Sequence, residues 1–236
     1  MIKLNKYKKE EKMRKKGFTL IEMVVVLAVV AILAAILTPT VARNIKASKV
    51  TRTTNEVQVI AAAVASLYKD TGYWPFTNAN GPSGGVDRVL GNPSTVPTGA
   101  EPGAGSGAAY WGTYGLTKPL YDYLYYNNPD DDSGGSGQNQ AGQDYPTTGE
   151  YRWRGPYLDD KLLDDAWGRS YVINARYFPG NPRFSDTTRP HRVYVLSAGP
   201  NHLWATPFSD SVTRNTTPDD SISGDDIGKA IAQTDS

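Results

Sequence analysis

The chain has 236 residues, enough for one sizeable domain or two small ones, and its net charge of +1 hides an uneven distribution. Residues 1–17 contain eight Lys and Arg against two Glu, a net of +6, so the rest of the chain carries −5, which argues against nucleic acid as the primary partner of a mature form. The absence of cysteine excludes disulfides, thiolate metal sites and a cysteine nucleophile, and two histidines argue against a His-rich zinc site.

Residues 18–37 form an apolar run that is interrupted only by Thr19 and Glu22. A helix of this length spans roughly 30 Å, the thickness of a bilayer core. The apolar part of a secretory signal peptide is usually only about 7–15 residues long, and a buried core helix seldom lacks a polar face over such a length. The basic leader predicts a cytoplasmic N-terminus, with the rest of the chain on the other side of the membrane.

Glu22 is the exception in this run, because a carboxylate costs roughly 2.5–3.5 kcal/mol at the centre of a membrane helix and less near its end. One interpretation is that Glu22 lies one turn inside the helix and its carboxylate reaches the lipid headgroups. The other interpretation requires a cation at the same depth. Cleavage after Gly17 would create one, the α-amine of Phe18, which on one subunit can meet Glu22 of a staggered neighbour.

Residues 15–22 contain a basic pair, a glycine, a phenylalanine and, at the fifth position from that phenylalanine, a glutamate. The run is Lys15-Lys16-Gly17-Phe18-Thr19-Leu20-Ile21-Glu22. It resembles the cleavage motif of type IV pilins and of the pseudopilins of type II secretion systems. The resemblance implies that a prepilin peptidase cuts between Gly17 and Phe18 and N-methylates Phe18, and that Phe18 and Glu22 direct filament assembly. Translation could start at Met1 or at Met13, where a shorter leader would begin.

The same resemblance implies a life cycle with two locations. The chain would be stored in the inner membrane as a single-pass protein with a periplasmic C-terminal domain. It would then form a homo-polymer, as a periplasmic pseudopilus or a cell-surface filament. The implied partners are the prepilin peptidase, an inner-membrane assembly platform with its ATPase, and minor pseudopilins or minor pilins. The expected divisions are a leader peptide (1–17), a membrane and filament-core helix (18–38), an amphipathic helical half (39–72) and a globular head (73–236).

Pro39 should kink or locally open a helix that runs through it, because proline lacks a backbone donor and clashes with the preceding turn. Beyond it, apolar residues recur at spacings of three and four and predict one helical stripe that covers the core of the head. The stripe comprises Val57, Ile60, Ala61, Val64, Leu67 and Tyr68. Gly72 is suited to a left-handed cap at the end of this helix.

Residues 77–110 are rich in Gly, Pro, Ser, Thr and Asn, which predicts a long loop. Residues 115–126 predict a short helix, although Pro119 limits where it can start. The acidic triplet at 130–132 opens a second Gly- and Ser-rich stretch. It lacks the spacing and the distal glutamate of an EF-hand loop, so a solvated loop is expected there and not a calcium site.

From Gly155 the sequence alternates turn and strand signals, with half-buried antiparallel strands expected around 171–173 and 192–197. Residues 155–202 resemble the core of the major, G-type pseudopilin: a Gly-Pro-Tyr-Leu turn, an Asp-x-Trp-Gly hairpin, and a strand that runs into a Ser-x-Gly loop. The expected fold is therefore α+β and type IV pilin-like, with a long N-terminal helix packed on a small antiparallel sheet. Insertions at 77–150 and 203–224 depart from the family pattern.

The G-type resemblance also implies calcium bound in the loop after the last strand. By position, Asn201 would take the first acidic place, and Asp225 or Asp226 the second. Oxygen ligands of this kind suit calcium, while asparagine in place of aspartate would weaken the site. The alternative is a solvated acidic loop in which Asp225 and Asp226 cap a final helix. The sequence favours neither interpretation over the other.

Three classes of function compete. The first is a filament subunit, as the major pseudopilin of a type II secretion system or, alternatively, as a type IV pilin of a surface fibre for adhesion, motility or DNA uptake. The second is an enzyme, which is not expected, because no catalytic motif occurs and His191 and His202 are expected to be ordinary exposed histidines. The third is a membrane-anchored binding protein whose five tryptophans contact sugars or partners, although such residues more often build the core.

Overall fold

The computed structural model describes residues 17–76, 85–104, 107–129, 144–159, 164–184, 190–209 and 222–233. Residues 1–16 of the predicted leader and the acidic triplet at 130–132 lie outside these residues. The chain divides into two compact units, Met1–Lys46 and Ala47–Ser236. One long helix, α1 (Leu20–Thr71), contributes its first part to the first unit and its second part to the second.

In the first unit, α1 continues through Pro39 without a break in its helical assignment. The local opening expected at this proline is therefore wrong, and a kink there stays a prediction. The turn before the proline carries a side-chain contact, because the hydroxyl of Thr38 donates a hydrogen bond to the carbonyl oxygen of Ala34 at 2.6 Å. Such bonds to the preceding turn often bend a helix without ending it.

In the second unit, α1 buries one face, as the spacing of its apolar residues predicts. The buried residues are Thr53, Val57, Ile60, Ala61, Ala63, Val64, Leu67 and Thr71. Tyr68 differs from the prediction, because 42% of its surface stays exposed. Gly72 follows the helix with a φ of 75°, and its N–H donates to the carbonyl of Tyr68 at 2.8 Å, so the predicted left-handed cap is confirmed.

Within the described ranges, the sheet has five strands in the order β2-β1-β3-β4-β5. They are β1 (Arg88–Leu90), β2 (Thr117–Pro119), β3 (Val172–Ile173), β4 (Arg192–Ser197) and β5 (Ile227–Gln233). Helix-on-sheet architecture confirms the expected fold class. Three neighbouring pairs are antiparallel, but β1 and β2 are parallel. A parallel pair needs a long connection, and the predicted insertion supplies it, with the short helix α2 (Tyr110–Thr113) on the way.

Three local predictions differ from the structure. The loop expected at 77–110 contains β1, a strand too short to show a periodic pattern. The helix expected at 115–126 is divided between β2 and a π-helical turn, Asp122–Tyr126. The final residues form β5 and not a helix, so the interpretation of Asp225 and Asp226 as helix caps is wrong.

Strands β3 and β4 are buried on both faces, where a half-buried pattern was expected. On the α1 side, the hydroxyl of Tyr171 donates to the Glu56 carboxylate, and the hydroxyl of Thr53 accepts the Ala166 N–H at 3.3 Å. The amide of Asn174 donates to the carbonyls of Arg192 and Phe208, which ties β4 to the 203–209 segment. Cover from both directions explains why the strands lack a polar face.

The two insertions pack on each other through tryptophans. The indole N–H of Trp204 donates to the carbonyl of Pro97, and that of Trp111 to the carbonyl of Thr206, each at 2.7 Å. The two rings lie 5.6 Å apart, and both are fully buried. The described parts of the insertions are therefore one structural element, in which each segment supplies an aromatic anchor to the other.

Candidate functional site

The predicted processing site lies just before α1. Gly17, Phe18 and Thr19 are non-helical, and Phe18 is 83% exposed. A Cβ added at Gly17 would meet no atom within 4 Å. The packing of the described residues therefore does not require glycine at this position.

Glu22 is held at the first turn of α1 by Thr19. Its carboxylate accepts hydrogen bonds of 2.7 Å from both the N–H and the hydroxyl of Thr19, and the Thr19 hydroxyl accepts the Glu22 N–H at 3.3 Å. This reciprocal pattern is a capping box. The sequence analysis did not single out Thr19, although Thr-x-x-Glu before an apolar run is the signal of that motif.

The apolar residues of α1 in the first unit are uncovered. Every large apolar side chain from Leu20 to Leu37 is between 50% and 83% exposed. By length and composition, α1 has a stretch that can cross a membrane, and none of that stretch is buried within the chain. Such a continuous apolar surface needs lipid or other protein to cover it.

The loop after β4 brings together part of the predicted calcium site. The carboxylate of Asp225 accepts the N–H of Asn201 at 3.1 Å, and the side-chain amide of Asn201 donates to the carboxylate of Glu101. Burial, and then the neighbouring carboxyl of Glu101, raise the pKa of Asp225. Sequence reasoning missed Glu101, because a loop residue that is 100 positions away from its partner gives no local signal.

Asp226 lies next to this cluster but has a different role. One of its oxygens accepts the N–H groups of Ala205 and Thr206 at 3.0 and 2.7 Å, so it holds the 203–209 segment against the start of β5. The side chain is buried, and this burial raises its pKa to about 6. A buried carboxylate that is opposed by no cation is costly to ionise.

The donor chemistry of this loop fits calcium. Within the described ranges, Asp225 and Asp226 each keep one buried Oδ1 atom without a hydrogen-bond partner. The Glu101 carboxylate adds oxygens of the kind calcium prefers. The Asn201 amide turns its nitrogen to Glu101, and its oxygen accepts the N–H of Leu203 at 2.7 Å. Among all the residues that the structure describes, no three Asp, Glu or His side chains form a group that could hold a metal ion. Backbone carbonyls would therefore have to complete the coordination.

The two histidines differ from each other. His191 is buried and its ring stacks on Tyr177 at 4.7 Å, so the exposed position expected for it is wrong. His202 is half-buried, has a φ of 63°, and accepts a 3.1 Å hydrogen bond from Arg169. Asp165 accepts hydrogen bonds from the N–H groups of Trp167 and Arg169 and from the hydroxyl of Ser197, and so organises the hairpin turn.

Comparison with known proteins finds a family match for the N-terminal residues. Residues 12–38 match a family model described as a prokaryotic N-terminal methylation motif. Over 64 residues the chain is 41% identical to fimbrial protein EcpC from Eikenella corrodens, a match that covers 27% of this chain and 42% of that protein. The chain thus spans less than half the length of this curated relative. No solved structure matches the chain. The family match is confined to the N-terminal segment, and the relative is a fimbrial protein.

Proposed function

We propose that this chain, which carries the N-terminal signature of type IV pilins and pseudopilins, is the subunit of a pilus-like filament assembled from the inner membrane. The methylation motif at 12–38 is the observation that carries the proposal. The exposed apolar surface of α1 supports it, because the same surface can be covered by lipid during storage and by neighbouring helices in a filament. The periplasmic head would then face outward.

Processing would start assembly by creating a charge. A prepilin peptidase would cut between Gly17 and Phe18 and N-methylate Phe18, which leaves a cationic amine close to the start of α1. In a bundle of staggered helices, this amine on an incoming subunit would neutralise Glu22 of its neighbour. Charge pairs are strong where water is excluded, so a mismatched register would leave a buried acid without a cation.

We assign the subunit, within this class, to the pseudopilus of a type II secretion system, as its major pseudopilin. The hairpin and the strand that carry the G-type resemblance both lie in the core of the head, at 164–173 and 192–197. The second candidate is a type IV pilin of a surface fibre, which the name of the relative, a fimbrial protein, favours. In either case, the assembly platform with its ATPase and the minor subunits would be partners.

The test is electron microscopy of material sheared from the cell surface, combined with N-terminal sequencing of this chain. The proposal expects filaments containing a chain that begins at methylated Phe18. A mature chain that begins elsewhere would refute the processing step. Long surface fibres at native expression would favour the pilin, whereas loss of protein secretion on deletion, without such fibres, would favour the pseudopilin.

We also propose that calcium binds at the loop that joins Glu101, Asn201 and Asp225. Burial and the neighbouring carboxyl of Glu101 raise the pKa of Asp225, and a cation bound between the two carboxyls would relieve their repulsion. For an exported domain without disulfides, such binding would favour the folded state by mass action. Asp226 would support the loop from beneath through its bonds to Ala205 and Thr206.

A further inference from the structure

An open pocket of about 250 Å³ lies beside the C-terminal end of α1, within the second unit. Four aromatic side chains and the turn after Phe178 line it: Tyr68, Tyr73, Trp74, Phe76, Pro179 and Gly180. The proposed filament function uses none of these residues. The pocket lies at the surface of the head, and Tyr68 has 42% of its area exposed there.

The rings form an ordered stack and not a cage. Tyr68 lies parallel to Trp74, with ring centroids 4.0 Å apart and an angle of 10° between the planes. Trp74 stacks in turn on Phe178 at 4.8 Å and 17°. Both faces of Trp74 are therefore covered, and Tyr68 ends the stack with one covered face and one available face. The stack fixes the orientation of Tyr68 before any ligand arrives.

The polar groups of the pocket are neutral. Among the residues that the structure describes, no Asp, Glu, Lys, Arg or His lines the pocket. The hydroxyls of Tyr68 and Tyr73 form no hydrogen bond to any described residue, so both can donate to and accept from a ligand. A complementary ligand is uncharged, has one flat and weakly apolar face, and carries hydroxyls at its rim.

We propose that this pocket binds the ring of a neutral saccharide. The C–H groups on one face of a pyranose are weakly positive and match the negative face of the Tyr68 ring. The hydroxyls at the rim of the sugar match those of Tyr68 and Tyr73. A quaternary ammonium fits less well, because it needs several ring faces around it. Both faces of Trp74 are already covered by the other rings of the stack. A proline-rich peptide requires a longer groove of parallel rings.

The test uses the mature full-length chain in phosphatidylserine nanodiscs, because many detergents have sugar headgroups and phosphatidylcholine carries the rival ligand choline. Glucose, galactose, mannose and N-acetylglucosamine are titrated, and binding is followed by saturation-transfer NMR and tryptophan fluorescence. At least one sugar should bind with a millimolar dissociation constant. Tyr68→Ala should weaken that binding about tenfold by removing the platform, and Tyr68→Phe about threefold by removing one hydrogen bond.

Tyr110→Ala is the matched control, because Tyr110 is 46% exposed, also contacts another ring at 5.2 Å, and lies outside the pocket. It should leave the affinity unchanged, and near-ultraviolet circular dichroism should show that both alanine variants are folded. The proposal is overturned if no sugar binds up to its solubility, or if Tyr68→Ala binds like the wild type. It is equally overturned if choline or a proline-rich peptide, and no sugar, requires Tyr68.

Discussion

Thr19 and Glu22 satisfy each other's hydrogen bonds at the first turn of α1, with the Glu22 carboxylate 2.7 Å from both the N–H and the hydroxyl of Thr19. In the uncut chain, the one acid of the apolar segment is thus bound within its own helix. If the helix is stored in a membrane, as proposed, this contact would shield the carboxylate, because it replaces water with two donors. Assembly would require the carboxylate to gain or exchange a partner.

The first prediction separates the charge of Glu22 from its role in the cap. Glu22→Gln keeps an oxygen that can accept from Thr19 but cannot neutralise a cationic amine, so cleavage at Gly17 should continue while filaments are lost. Glu22→Ala should do the same. Mass spectrometry of the membrane-bound chain reports the cleavage, and electron microscopy of sheared material reports the filaments.

Thr19→Val is the control for that experiment, since it removes the capping hydroxyl but retains the acid. It should cost the helix start about 1 kcal/mol and still permit filaments. If Glu22→Gln assembles normally, the charge pair is not what registers the subunits. If Thr19→Val fails while Glu22→Gln succeeds, the cap itself is the essential feature.

The second prediction concerns Asp87, whose buried carboxylate lies 3.1 Å from Arg176 and 3.6 Å from Arg183 and accepts the N–H of Leu116 at 2.9 Å. Asp87→Asn should lower the free energy of unfolding by about 2–4 kcal/mol, because Arg176 loses its counter-charge in a partly buried place. Arg183→Ala should cost at most about 1 kcal/mol, since its side chain is 40% exposed against 25% for Arg176 and its distance to Asp87 is longer. Urea unfolding in micelles measures both, and equal costs would contradict the assignment.

The third prediction tests whether the two insertions depend on each other. Trp204→Phe removes the bond to the Pro97 carbonyl and leaves a void in a fully buried place, so the free energy of unfolding should fall by about 2–3 kcal/mol. Trp153→Phe is the same substitution at a half-buried site with a longer bond of 3.4 Å to Tyr123, and it should cost below about 1 kcal/mol. Similar losses would show that the insertions are not coupled.

Sequence patterns predicted the parts of the fold that have local rules. The buried face of α1 followed from residues spaced by three and four, and its end followed from Gly72. Strand β1 was missed because three residues in a glycine-rich stretch carry no periodicity. It is a strand because it pairs with β2 and β3 in the sheet. The Trp111–Trp204 contact was missed for a related reason, since burial of a tryptophan shows only that it has partners and not which ones.

The candidate sites were predictable to different degrees. The motif around Gly17 and Glu22 is contiguous, so it could be found in the sequence alone, and Thr19 was within reach of the capping-box pattern. The loop near Asp225 depends on tertiary structure, because Glu101 approaches it from the other insertion. The role of Asp226 also required the fold, since its partners at Ala205 and Thr206 follow from the path of the chain.

The fourth prediction is that the metal-free protein becomes less stable as the pH rises from about 4 to about 6. Burial raises the pKa of Asp226 from 3.8 to about 6, so the folded state holds its proton more tightly than the unfolded state over this interval. The loss should approach about 3 kcal/mol. Asp226→Asn should remove most of this dependence, whereas Asp159→Asn, at an exposed position, should not. Thermal melts at several pH values measure it, on protein freed of calcium with EGTA at neutral pH and then dialysed into calcium-free buffers.

Calcium should reverse this behaviour, because a cation favours the ionised carboxylates that the metal-free protein disfavours. At pH 7.5 the thermal midpoint should rise with calcium and return in EGTA, with a gain of about 2.7 kcal/mol at a hundredfold excess over the dissociation constant. Asp225→Asn and Glu101→Gln should each reduce the rise in thermal midpoint with calcium. Both variants should still form filaments, because Glu22 is unchanged. If melting curves with calcium and with EGTA coincide at pH 7.5, the loop binds no calcium, and its acids serve only to connect the two insertions.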